Sequence, residues 1–143
     1  MTTCVVDACV AVKWLLPAAG EGLLEQANRL LERHVKRELQ LLAPNLIEAE
    51  IGNALWKAVQ RNRISPTEAE NSVRQFTALA IHVLPTSELL GQALQIAVSC
   101  NCSFYDSLYV ALALATKTEL VTADERLVNA LGSRFPIRWL GAF

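Results

Sequence analysis

The chain has 143 residues, the length of one domain, and 52% of them are hydrophobic against 19% charged. A chain of this length buries roughly 68–70% of its unfolded surface, so it needs no disulfide or structural metal, and the composition excludes a disordered polymer. The net charge of −1 excludes nucleic-acid binding by bulk basicity. An RNA substrate would then depend on a local patch, a dimer groove or a bound metal.

In chain order, the Val-rich run Thr3–Val6 reads as a strand that ends at Asp7. A short helix is expected over about Val10–Leu16, stopped by Pro17, then a loop over Ala18–Gly22. The segment Leu23–Arg37 has apolar residues Leu23, Leu24, Ala27, Leu30 and Leu31 at helical spacing. Its other face is charged, with a basic C-terminal half that complements the helix dipole and reads as a solvated face before an RNA patch. Leu39–Ala43 reads as a second strand, ended by Pro44, and Leu46–Arg61 as a helix. Ser65-Pro66-Thr67-Glu68 is a helix start, with Ser as N-cap, Pro at the first helical position and Glu at the third. That helix runs to about Leu79. Ile81–Leu84 is a third strand, and Ser87 is expected to cap a helix that ends near Cys100. Phe104–Thr116 is apolar on nearly every face, which predicts a buried helix. Glu119–Thr122, Glu125–Leu131 and Ile137–Leu140 complete the pattern as strand, helix and possible fifth strand.

Strands alternate with helices and no hairpin dipeptide joins them. This predicts one α/β domain over residues 1–143, a mainly parallel sheet of four to five strands covered by helices on both sides. No apolar stretch reaches the roughly 18–20 residues of a membrane span. The N-terminus lacks a basic leader and is interrupted by Asp7 and Lys13, so a cytoplasmic location is the default. The four cysteines show no C-x-x-C pair, and His34 and His82 are isolated. They read as reduced, mostly buried thiols rather than a zinc site.

Four acids carry the chemistry, and each has a simpler alternative. Asp7 ends the first strand, where an Asx turn would account for it. Asp124 precedes Glu125-Arg126-Leu127 and is placed to N-cap that helix. Asp106 follows Ser103 by three residues, close to a capping box. Glu50 and Glu48 lie about equally far from the centre of their helix's apolar face, so periodicity does not choose between them. Jointly the acids mean more: two stand at strand ends and one at the start of a buried helix, on a plausible common rim. Two carboxylates ~4 Å apart repel by roughly 4 kcal/mol at an effective dielectric near 20. A hard divalent cation would offset that, and carboxylates with Mg²⁺ or Mn²⁺ are the usual apparatus of phosphodiester hydrolysis.

The segments VVDACVAVKWLLP, APNLIEAEIGNALWK, SFYDSLYVALALA and LVTADERL resemble, in order, the four motifs of PIN-domain ribonucleases, above all the VapC toxins of toxin–antitoxin pairs. The resemblance implies a PIN-like three-layer α/β/α sandwich and a Mg²⁺- or Mn²⁺-dependent endoribonuclease. It also implies a homodimer that cuts RNA and is neutralised by a small VapB-like antitoxin. It assigns Asp7, Glu50, Asp106 and Asp124 to the metal site, and E-x-x-N-x-L favours Glu50 over Glu48 because Asn53 and Leu55 match. Thr122, in T-A-D, matches a hydroxyl position beside the metal. One departure stands out: the family usually has Asp-x-Ser after the first strand, and this chain has Asp7-Ala8-Cys9. A thiol is a poorer donor and a softer ligand than a hydroxyl.

Lys13 and Arg126 lie near Asp7 and Asp124 in sequence and would suit a phosphate, although surface ion pairs explain them as well. Trp14 and Trp56 suit base stacking, but core or interface packing is the plainer reading. Three other functions compete. A catalytically silent PIN-like domain would bind a partner protein or RNA, a reading favoured by Cys9. An aspartyl phosphotransferase would need a second Asp where Cys9 stands. A dinucleotide-binding fold would need a Gly-x-Gly-x-x-Gly that is missing after the first strand.

Overall fold

The computed structural model describes residues 2–16 and 22–143. In chain order the elements are β1 (Thr2–Val6), α1 (Ala8–Leu15), α2 (Leu24–Val35), β2 (Leu39–Pro44), α3 (Leu46–Gln60), α4 (Pro66–Ala78), β3 (His82–Leu84), α5 (Leu90–Cys100), α6 (Phe104–Ala115), β4 (Glu119–Thr122), α7 (Glu125–Leu131) and β5 (Ile137–Trp139). The strands form one sheet in the order β3-β2-β1-β4-β5, and every pairing is parallel. This is the α/β/α architecture that the alternation predicts. The expected stop at Pro17 and most of the expected loop over Ala18–Gly22 fall on residues 17–21, outside the described residues.

The core is built from the strand interiors and one buried helix. Val5, Val6, Leu41, Ala43, Leu120 and Val121 are at most 1% exposed, as residues of a sheet covered on both faces must be. Helix α6 lies across β2, β1 and β4, while α1, α2, α3 and α4 pack against one another. The nearly uniform apolar surface of FYDSLYVALALA is explained by this position, since Leu108 through Ala113 are all buried.

The helix starts follow local chemistry closely in two places and depart from it in two. Ser65 and Glu68 form the full reciprocal capping box, with Pro66 at the first helical position. Asp124 caps α7 as expected. Helix α1 begins at Ala8, two residues earlier than its hydrophobic pattern indicates, because Val10 N–H already bonds to the Asp7 carbonyl. Ser87 does not cap α5. A short 3₁₀ turn over Ser87–Leu89 comes first, and the preceding hydroxyl, Thr86, is bonded to Asn45 Oδ1 at 3.1 Å.

His34, isolated in sequence, fastens three elements. Its Nδ1 accepts the Leu41 N–H of β2 at 3.1 Å, and its Nε2 lies 2.8 Å from the Leu79 carbonyl at the end of α4. One ring nitrogen therefore accepts while the other donates, as in neutral imidazole. Replacing His34 with Ala is expected to destabilise the protein by about 1–3 kcal/mol, the cost of leaving the strand N–H unsatisfied. Urea denaturation measures it, and a loss below about 0.5 kcal/mol would show that water replaces the ring.

Candidate functional site

All five strands run the same way, so their carboxyl ends share one rim. The strand order reverses between β1 and β4, and such switch points open a crevice for ligands. Asp7 follows β1 and Asp124 lies two residues beyond β4. The β1–β4 ladder pairs Val6 with Val121 and continues through an Asp7 N–H to Val121 carbonyl bond of 3.0 Å. That bond sets Asp7 beside Thr122. The Thr122 hydroxyl is fully buried, donates to Asp7 Oδ2 at 2.8 Å and accepts the Asp124 N–H at 3.1 Å.

Asp7 occupies the N-cap position of α1, yet its carboxylate makes no cap bond. It is only 8% exposed. Burial pushes its pKa up from the usual 3.8 to about 6, opposed by the Thr122 hydrogen bond and reinforced by the charges of Asp106 and Glu50. The side chain is therefore held away from its simpler role, as a turn or cap group, and pointed at other acids.

Glu50 is part-buried and Glu48 is exposed, so the structure separates two residues that periodicity could not. Tyr109, on α6, donates its buried hydroxyl to Glu50 Oε1 at 2.7 Å. Burial and the nearby Glu50 and Asp7 charges raise the tyrosine pKa, which keeps it a donor. The Glu50 pKa is raised by burial, opposed by Tyr109 and reinforced by Asp106. Tyr109 was not singled out in the sequence, where it is one more apolar-face residue of a buried helix. The signal available was its phenolic oxygen, which a core position obliges to find a partner.

Asp106 stands in the first turn of α6, with its N–H bonded to Ser103 Oγ at 3.0 Å. The return bond to the cap backbone that completes the Ser65–Glu68 box is not formed here, and the carboxylate interacts instead with the Ser103 side chain. Its pKa is raised by burial, then lowered by Ser103 and raised by Asp124. Asp124 does both jobs: Oδ1 accepts the Arg126 N–H at 3.0 Å while its charge acts on Asp106.

Cys9 lies under this network. Cys9 Sγ lies 3.5 Å from Thr122 Oγ1, whose own hydrogen goes to Asp7, and the thiol also interacts with the Asp7 carboxylate. The Ala123 N–H points to the sulfur at 3.4 Å. Burial pushes the thiol pKa up to about 12, so it stays protonated. Cys9 thus occupies the donor-and-acceptor position of a serine hydroxyl, with longer and weaker bonds.

Among the described residues no three His, Cys, Asp or Glu side chains are close enough together to ligate one ion directly. The acids interact pairwise across a shared space. That fits a small hard cation, which keeps several of its waters and takes only one or two carboxylates directly. It also fits the charge balance. No Lys or Arg lies within ion-pair distance of Asp7, Glu50 or Asp106 among the described residues; burial is the main cause of their raised pKa values, neighbouring carboxylates add to it, and Arg126 partly offsets it at Asp106. Arg126 lies 3.8 Å from Asp124 and is 95% exposed, a surface ion pair as its position indicates. Lys13 is buried, not on the surface, and donates to the Gly22 carbonyl at 2.8 Å. Trp14 is core, bonded to the Ala27 carbonyl, whereas Trp56 is 56% exposed.

The PIN-domain family model matches residues 4–131. The chain belongs to the PIN-domain family, among the VapC ribonucleases. Ribonuclease VapC1 of Mycobacterium tuberculosis is 38% identical over 133 residues, covering 92% of this chain and 93% of that one. Ribonuclease VapC3 of Pyrobaculum aerophilum is 31% identical over 129 residues, covering 87% and 92%. Among solved structures, VapBC2 from Rickettsia felis, bound to a DNA fragment from its promoter, matches with a TM-score of 0.69. That match is 12% identical and covers 96% of this chain and 98% of the other. This level of identity establishes the PIN fold.

Asp7 binds its proton more tightly folded than unfolded, so the stability it contributes is full at low pH and lost as pH rises through about 6. The loss amounts to on the order of 3 kcal/mol. In metal-free buffer, Asp7→Asn should be more stable than the wild type at pH 8, by about 1–3 kcal/mol, and have a flatter pH profile from 4 to 8. Denaturant titration across that range decides it; an Asn variant less stable at pH 8 contradicts the buried-charge account.

Proposed function

We propose that this chain is a metal-dependent endoribonuclease, the toxin of a type II toxin–antitoxin pair. The observation that carries the reading is the group of part-buried carboxylates at the switch point between β1 and β4, whose charges act on one another. The relatives named as ribonucleases supply the substrate class, and the fold neighbours solved as toxin–antitoxin complexes support a VapB-like antitoxin as partner. Asp7, Glu50, Asp106 and Asp124 hold Mg²⁺ or Mn²⁺, directly or through water. When bound, the metal lowers the pKa of a coordinated water, polarises the phosphate and neutralises developing charge.

The chain's own residues prepare that site. Thr122 orients Asp7 by a hydrogen bond to Oδ2, which leaves Oδ1 toward the other acids. Tyr109 holds Glu50 by Oε1 in the same way. The reaction joins water oxygen to phosphorus and breaks the bond to the leaving ribose oxygen, without a covalent enzyme intermediate. No single helix among the described residues is long and apolar enough to cross a membrane.

Wild-type protein with Mg²⁺ or Mn²⁺ should cleave structured RNA, Asp7→Asn should not, and Thr122→Val should lose about 10–100-fold in activity or metal affinity. Equal metal-dependent cleavage by wild type and Asp7→Asn would sink the assignment. A silent binding module is the second reading, favoured by the loose spacing of the acids. Mn²⁺ separates the two: a real site gains stability as RT ln(1 + [L]/Kd) and its melting temperature rises with Mn²⁺ concentration, whereas a silent one leaves the melting temperature unchanged.

A homodimer belongs to the same proposal. Leu90, Leu94 and Val98 form an i, i+4, i+8 stripe on α5 and are 47%, 56% and 75% exposed. Exposed apolar stripes of this kind mark protein contacts. Leu94→Glu should convert a dimer to a monomer in light scattering without lowering the melting temperature. An unchanged mass for the variant would move the interface elsewhere.

A further inference from the structure

We propose that the groove between α1 and α3 seats the RNA strand beside the cut, with Lys57 and Arg61 holding its phosphates. The inference rests on the ribonuclease reading and adds the path of the substrate. A cavity of about 260 Å³ opens there, lined by Ala8, Cys9 and Val12 of α1 and by Glu50, Asn53 and Lys57 of α3. One end is therefore an acid of the candidate site, and the other is a cation. At 100° per residue, Glu50, Asn53, Lys57 and Arg61 fall within about 80° of one another on α3. With a rise of 1.5 Å per residue, Lys57 stands ~10 Å and Arg61 ~16 Å beyond Glu50. The stripe passes from acid through an amide to two cations, along a floor that includes Cys9.

The charges on this stripe are not spent on the protein. Neither Lys57 nor Arg61 has an acidic partner within ion-pair distance among the described residues. On α2, the other basic helix, Arg29 pairs with Glu25, Arg33 with Glu38 and Lys36 with Glu32. Complementing the α3 dipole accounts for a cation in the last turn, on any face. It does not account for two cations in line with Glu50. With a net charge of −1 a polyanion must be met by a local patch, and this groove leads to an acid of the candidate site.

The test uses the full-length protein carrying Asp7→Asn, so that RNA is bound and not cut, and a fluorescent single-stranded RNA followed by anisotropy across salt concentrations. Adding Lys57→Gln should lower the slope of log K against log salt by about 0.7, and Arg61→Gln by a similar amount, with weakening that is uniform across RNA sequences. In the otherwise wild-type enzyme, either change should raise KM several-fold and leave kcat nearly unaltered. Arg29→Gln, which removes a cation already paired on α2, is the control and should leave the slope unchanged. RNA that still binds, with slope and KM unmoved by Lys57→Gln and Arg61→Gln, overturns the groove and spares the ribonuclease reading. A parent protein that neither binds nor cuts RNA overturns both.

Discussion

Val6 pairs with Val121 at the centre of the sheet, and the next rung joins the Asp7 N–H to the Val121 carbonyl. That rung brings a carboxylate into the interior, where charge is costly. Everything around it answers the cost: Thr122 donates to Oδ2, Cys9 supports Thr122, and Asp124 takes its backbone position from the same hydroxyl. The arrangement leaves Asp7 only partly compensated, which is why its pKa rises toward 6 although it accepts a good hydrogen bond. A strand pairing shifted by one residue would turn Asp7 to the other face and dismantle the site.

The second constraint acts across layers. Helix α6 carries Asp106 at its first turn and Tyr109 one turn later, so one buried helix delivers both an acid and the donor that holds Glu50. Glu50 is reached from α3, a helix that packs with α1 and α4. The two helical layers thus meet at the rim through the Tyr109 phenol, which bonds Glu50 of α3 and the Ala8 backbone of α1. Because Tyr109 is 1% exposed, its ring packing and its hydroxyl's role cannot vary independently.

Much of this was legible in the residues. Alternating strand and helix patterns are sufficient for a parallel sheet, and the Ser65–Glu68 box and the Glu119–Thr122 strand follow from local chemistry alone. Strand ends predict where Asp7 and Asp124 stand, because parallel strands share a carboxyl rim. What the residues could not show depends on contacts distant in sequence. Glu50 and Glu48 differ only in what lies opposite them, and that is Tyr109, 59 positions away. Ser87 looks like a cap until Thr86 is bonded to Asn45, 41 positions back. Lys57 and Arg61 read as an ordinary basic helix end until α1 is placed beside them.

The capping interpretations of the acids were not rivals of the metal-site interpretation. Asp124 caps α7 and still acts on Asp106; Asp106 takes half of a capping box, and its carboxylate still feels the charge of Asp124. A cap fixes where the residue's backbone lies, and a backbone fixed at a helix start is a rigid mount for a side chain aimed into a crevice. The two acids at helix starts, like Asp7 at the N-cap position of α1, are held by elements that begin at the rim. Such positions let the fold collect negative charge without flexible loops. The sheet supplies the convergence, the helix starts supply the rigidity, and the repulsion that remains is the cost a bound cation would offset.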